Sequence, residues 1–300
     1  AMGAEHVPHA APRHSRTIIE RRTRRAIEAS RHKLLAAGCH EALSYSFMSL
    51  DELDRLQIGP DDPRHSAAIP VANPLTAEQS HMRTTLVPAL LRALDTNVAQ
   101  RNKDVGLFEL ARRFTPDGEV MMLGMLVTGA RSLHFSGDVR WDMHELKGLL
   151  ESLLGRHAVD SRWTASSSEP FLHPGVQATW TVGERELGVV GQLHPAIVSE
   201  HELDGPVYVA EVDFDLVLEL EAHDPAFAPF PKYPAVARDF ALLYDRSAPY
   251  VAIEDAIRAL ASGSARFAAL LEDVRLFDVY EGEQVPDGER AWSWEKPIWV

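Results

Sequence analysis

NPLTAEQSHMRTTLVPALLRALDTNVAQRNKDVGLFELARRF, residues 73–114, is the stretch whose periodicity decides how the chain folds. It predicts an extended loop, a turn at Asn73-Pro74, a helix over 86–99 and a buried strand over 105–110. Leu86, Leu90, Leu91, Leu94 and Val98 recur at helical spacing. One apolar stripe therefore faces a core, and Arg92, Asp95 and Gln100 are left to water. Pro88 falls in the first turn, where its missing N–H is not needed. Arg83 at one end and Arg112 with Arg113 at the other give this unit the charge to hold an anion.

Upstream, residues 1–16 carry no periodicity and read as a flexible lead. A helix is predicted over 17–37, with Ile19, Ala26, Ile27, Ser30 and Leu34 near one face and Gly38 as its stop. Its Arg21, Arg22, Arg24, Arg25, Arg31 and Lys33 suit either an RNA or subunit contact or a solvated face with pairs such as Glu20 with Arg24. HEALSYSFMS (40–49) reads as a strand, and residues 51–56 as a short helix capped by Asp51. Downstream, Pro116-Asp117-Gly118 is a turn and 120–130 a buried strand. A helix follows over 141–154, then strands over 176–182, 187–193 and 207–214. Tight turns between strands, with helices interspersed, give an antiparallel α+β domain over 17–222. The four prolines in residues 223–235 exclude a helix or central strand, so a linker is placed there. Beyond it, residues 236–300 read as strand, helix, strand.

Composition narrows the function. Of the 300 residues, 45% are hydrophobic and 25% charged, as in soluble globular proteins. No apolar run approaches the ~20 residues that cross a bilayer, so a cytoplasmic chain without membrane contact is expected. The single cysteine, Cys39, excludes an intramolecular disulfide and a cysteine-based zinc cluster. The formal net charge of −14 argues against tight independent binding of nucleic acid, which favours a basic face. HELKG (144–148) and HELDG (201–205) begin like a zinc-protease HExxH, but glycine stands where the second histidine ligand is needed, and no metal site is expected.

MRTTLVPALLRALDTN followed by LFELARRF resembles the motif-2 region of the beta subunit of phenylalanyl-tRNA synthetase, a relative of the class II aminoacyl-tRNA synthetases. The resemblance continues in family order through WDMHELKGLLESLL (141–154), FLHPGVQA (171–178), LGVVGQLHP (187–195), VYVAEVDFDLVL (207–218), FPKYPAVARDFALL (230–243) and LFDVYEGEQVPDG (276–288). It implies a class II synthetase-like antiparallel sheet with helices, followed by a partial ferredoxin-like β-α-β module of the anticodon-binding kind. The helix, glycine and strand around Glu41 resemble motif 1, which in the family joins subunits; Ile19, Ile27 and Leu34 are the interface residues this implies. The final AWSWEKPIWV does not resemble the family, so the module is expected to stop about a third short.

Adenylate synthesis requires cations that stabilise negative charge building on the α-phosphate of ATP. Active class II sites take them from a motif-2 arginine and from a glycine-rich motif 3. Here ELARRF turns directly into TPDGE, and residues 200–222 contain no such glycine-rich segment, so no catalytic residue is assigned. The family resemblance implies that ATP and Mg²⁺ belong to a partner alpha subunit, with this chain helping to complete the assembly and hold tRNA(Phe). Arg83, Arg112 and Arg113 are candidate anion contacts; the structural alternative, favoured here, has Arg83 pairing with Glu78 or Glu109. Lys232, Tyr233, Arg238 and Tyr280 are candidate RNA contacts, while Phe277 reads as core. Two other readings stand beside this one: a synthetase-like paralogue with a binding or regulatory role and no alpha subunit, and a self-sufficient ligase, which the missing arginines disfavour.

Overall fold

A computed structural model describes residues 22–132, 139–154, 161–201, 205–220, 235–263, 274–280, 285–286 and 289–299. The expected lead at 1–16 and nearly all of the expected linker lie outside these residues. The chain divides into two compact units, Ala1–Pro225 and Ala226–Val300.

In the first unit the elements run α1 (Arg22–Ala36), β1 (His40–Glu41), β2 (Phe47–Met48), α2 (Leu50–Arg55), α3 (Pro63–Ser66), a 3-10 turn (Ala77–Gln79), β3 (His81–Met82), α4 (Val87–Ala99), β4 (Val105–Thr115) and β5 (Gly118–Thr128). Then come β6 (Ala130–Ser132), β7 (Val139–Arg140), α5 (Met143–Leu154), β8 (Ser161–Ala165), β9 (Leu172–Val182), β10 (Arg185–Leu193), α6 (Pro195–Val198), β11 (Val207–Asp213) and α7 (Phe214–Glu219). A seven-stranded sheet carries the unit in the order β1-β4-β5-β11-β10-β9-β8. Only β1 with β4 is parallel; the other neighbours are antiparallel. This is the α+β architecture the sequence predicts.

Strand alternation sorts side chains between two cores, one on each face. Val207 and Val209 of β11 join Leu90, Leu91 and Leu94 of α4 in one. Ala210 and Val212 join Leu34 of α1 and Leu146, Leu150 and Leu154 of α5 in the other. Helix α4 presses close to its face because Gly124 lies beneath it: a Cβ there would come within 2.9 Å of Leu86 Cβ and 3.0 Å of Leu90 Cδ1.

Several expectations are corrected. The stretch 40–49 is two short strands, because Ser44 spends its N–H and hydroxyl on the Glu109 carboxylate and leaves the ladder. Ser49, not Asp51, precedes α2, and Glu52 accepts the Ser49 N–H in return at 3.0 Å. Strand β4 continues past residue 110 to Thr115, paired along its whole length with β5.

The second unit comprises β12 (Ala235–Asp245), α8 (Tyr250–Ser262), β13 (Arg275–Tyr280) and β14 (Glu289–Trp299). Its sheet has the order β12-β14-β13, with β14 antiparallel to both neighbours. Strands β12 and β13 are therefore parallel, joined through α8 and held apart by a third strand: a split β-α-β unit. The sequence offers two strands and a tail, whereas AWSWEKPIW belongs to the central strand. Ile253 and Val274 are buried with Phe240, Tyr244, Ile257 and Leu276 around them. Phe277, expected in this core, is 52% exposed; the β13 register slips between Leu276 and Asp278, and the extra residue turns outward.

Candidate functional site

The face of the large sheet that packs on α4 turns polar along its length. On β4, Val105 and Leu107 belong to the core, and the same side of the strand continues with Glu109, Ala111 and Arg113. On β11, Val207 and Val209 are followed by Glu211 and Asp213. Here the sequence brings together Arg83, Arg113 and a third arginine, Arg64, that periodicity alone does not single out.

Arg64 and Arg83 are closely matched to carboxylates, and Arg113 only loosely. Arg83 precedes α4, its main chain tied to Ser46 O and Phe114 N. Its side chain meets Glu109 at 2.9 Å, with the two side chains only 5% and 2% exposed. Its Nε donates to Arg112 O at 2.7 Å, and Ser44 completes the cluster. Of the two partners proposed from sequence, Glu109 holds Arg83; Glu78 is exposed and bonds its own backbone and Thr76 instead. Arg64 is bound by Asp62 and by Glu169, each at 2.7 Å, and lies over the Phe171 ring. Burial opposes its charge, but these bonds more than offset burial and raise its pKa above the arginine norm, while Arg64 holds the Asp62 carboxyl below the usual range. Arg113 lies 3.8 Å from Asp213, with its Nε buried and without an acceptor. Arg112 points to the other side of β4 and meets Glu119 at 3.3 Å on the exposed hairpin.

A fifth acid, Glu211, is buried and serves α4. Leu86, at the helix N-cap, offers no side-chain acceptor. Glu211 takes over, accepting from Leu86 N at 2.7 Å and from the Thr85 hydroxyl at 2.9 and 3.0 Å, while that hydroxyl accepts from Val87 N at 3.2 Å. Free N–H groups at a helix start favour an anion there. Desolvation nevertheless dominates and raises the Glu211 pKa above its ordinary 4.5. The folded chain thus holds this proton more tightly than the unfolded one. Its contribution to stability is fullest below pH 4.5 and is lost as pH rises through the native value. Glu211→Gln is expected to flatten this part of the pH profile of the urea midpoint; an unchanged slope in the variant would refute the assignment.

The remaining candidates are placed as follows. Lys232 and Tyr233 lie outside the described residues. Arg238 is on β12, its side chain likewise outside, and Tyr280 is on β13 with its ring 47% exposed. Ile19 lies outside the described residues; Ile27 is half-buried against the second core and Leu34 fully buried within it. Ile27 and Leu34 therefore form no exposed stripe, because α1 spends its apolar face on the chain's own sheet and on α5. Leu35 of α1 is 45% exposed, and the most exposed apolar residues of this unit lie outside the helix: Leu43, Tyr45 and Leu75. Alternation in LSYSF, with Ser44 and Ser46 between larger residues, is the signal that could have found Leu43 and Tyr45.

Comparison with known proteins agrees with the fold. Residues 7–214 match the family described as the phenylalanyl tRNA synthetase beta chain CLM domain, and residues 231–295 match the ferredoxin-fold anticodon binding domain. The phenylalanine–tRNA ligase beta subunit of Syntrophotalea carbinolica is 35% identical over 276 residues, which cover 89% of this chain and 34% of that protein. The beta subunit of Moorella thermoacetica is 38% identical over 268 residues, 87% and 32% respectively. The chain thus spans about a third of the length of these curated relatives. Pyrrolysyl-tRNA synthetase from Desulfitobacterium hafniense superposes with a TM-score of 0.52 at 16% identity, over 65% of this chain and 68% of that one, a likeness of fold alone.

Proposed function

The chain belongs to the phenylalanyl-tRNA synthetase beta-chain family, and from that premise we propose that it is a catalytically silent part of a phenylalanine–tRNA ligase, supporting subunit assembly and tRNA binding in the cytoplasm. Its partners in this reading are the alpha subunit, which binds ATP, Mg²⁺ and phenylalanine, and tRNA(Phe).

The observation that carries the silence is the pairing of the arginines. Arg64, Arg83 and Arg113 each face a carboxylate of this chain. A phosphate clamp needs guanidinium charge available as the transition state forms. To meet a phosphate, Arg83 would have to abandon Glu109 in a buried site, which costs several kcal/mol. Arg83 is therefore held for structure and not for the phosphates of a nucleoside triphosphate. Among the described residues no group of three or more acidic, histidine or cysteine side chains is arranged for a metal ion, and no helix is long and apolar enough to cross a membrane.

The test is phenylalanine-dependent ATP–pyrophosphate exchange. The purified chain alone is expected to show no activity above background, and the alpha subunit is expected to co-purify with it. Exchange by the isolated chain, with contaminating synthetase excluded, would overturn the first expectation; failure to retain the alpha subunit would overturn the second.

A further inference from the structure

A cleft of about 380 Å³ opens between the segment 45–55 and the loop ahead of β3, walled by Tyr45, Phe47, Asp51, Glu52, Glu78 and Arg92. Ser44 turns inward to Glu109, so Leu43 and Tyr45 on either side of it turn out, 90% and 73% exposed, and Leu75 on the opposing loop is 90% exposed. Tyr45 lines the cleft, and Leu43 and Leu75, two residues from its lining residues Tyr45 and Ala77, add apolar surface left in water.

Charge selects the occupant. Glu52 and Arg92 are paired with each other across the cleft, so neither charge is available. Among the described residues Asp51 has no side-chain partner, and Glu78 bonds Thr76 and its own backbone, which keep its carboxyl below the usual carboxylate range. Arg55 is the one wall cation without a partner among the described residues, and it also lines the shallow groove beside Leu91 and Ile197. The unpaired carboxylates outnumber it, and they stand beside an exposed aromatic face. Aromatic faces with carboxylates receive guanidinium or ammonium groups and repel phosphate. We propose that this cleft anchors a protein partner through an arginine or lysine side chain seated on Tyr45 between Asp51 and Glu78, with apolar partner residues covering Leu43 and Leu75. Identifying that partner as the alpha subunit rests on the function proposed above.

The test measures the affinity of the full chain for the alpha subunit at low and high salt. Tyr45→Ala and the double change Asp51→Lys with Glu78→Lys are compared with the native chain, and circular dichroism verifies the fold of each. All three positions are exposed. Both variants are expected to weaken binding tenfold or more, and the charge reversal is expected to abolish the native salt dependence, a readout that mere loss of structure would not move selectively. If both variants lose less than tenfold, the anchor is wrong while the proposed function stands. If the native chain itself ignores the alpha subunit, both fall. If Tyr45→Ala weakens tRNA binding and spares subunit binding, the face belongs to RNA and the anchor is overturned.

Discussion

Replacing Arg83 by leucine is expected to cost about 3–5 kcal/mol of folding stability, because it strands a buried carboxylate without its counter-charge. Glu109 is 2% exposed and would keep only the Ser44 N–H and hydroxyl as donors. The loss extends to the backbone, since Arg83 Nε also holds Arg112 O, and that bond anchors the segment ahead of α4 to the edge of β4. Removing both charges in an Arg83→Leu, Glu109→Leu double variant should recover much of the loss, because a buried pair contributes little over an apolar replacement of similar volume. Urea unfolding of the two single variants and the double variant completes the cycle. A cost for Arg83→Leu below about 1 kcal/mol, the range of an exposed pair, would show that Glu109 is solvated in the native state.

Gly188→Ala is the second large effect. A Cβ at Gly188 would fall 2.2 Å from Glu211 O and 2.7 Å from Val212 Cα, both backbone atoms of the adjacent strand. Strand β10 is flanked on its other side by β9, paired through Trp180, so it cannot retreat without opening a second ladder. Overpacking against side chains costs about 1–3 kcal/mol, and backbone obstruction belongs at or above the top of that range. The expected outcome is a fall of about 3 kcal/mol or more in stability, or loss of soluble folded protein. Gly148→Ala supplies the control. It lies on α5 with nothing within 4 Å of its Cβ position, and alanine there should stabilise by about 0.5–1 kcal/mol. Equal midpoints for the two variants would contradict the close approach of β10 to β11.

What the sequence disclosed and what it hid follow from one physical distinction. Periodicity reports which residues seek a core, and it located α4, α5 and the strands β5, β10 and β11 to within a few residues of their observed spans. It does not report pairing across long sequence distances. Glu109 and Arg83 could be matched because their partnership is nearly local. Arg64 with Glu169, and Glu211 with the start of α4, are separated by more than a hundred residues, and no pattern in the chain announces them. The 40–49 stretch reads as one strand because its apolar content is right; that Ser44 would bond a buried carboxylate depends on where Glu109 arrives. Strand β14 stays hidden for a different reason: AWSWEKPIWV departs from the family resemblance that organises the module, yet residues 289–299 pair along their whole length with β12.

In each unit the interior of the sheet holds a strand made after both of its neighbours. Strand β11 separates β5 from β10, and β14 separates β12 from β13. During synthesis the hairpin of β4 with β5 and that of β9 with β10 can each form as soon as they emerge, but they stay unjoined, each with a bare hydrogen-bonding edge, until residues 207–213 follow. The second unit waits likewise for 289–299. Both sheets therefore close late and through contacts distant in sequence, which makes closure slow relative to helix or hairpin formation. In that interval the open edges of β5 and β10 are templates for strands of other nascent chains, so yield of this protein should depend on translation rate and chaperone supply more than the depth of its finished core suggests.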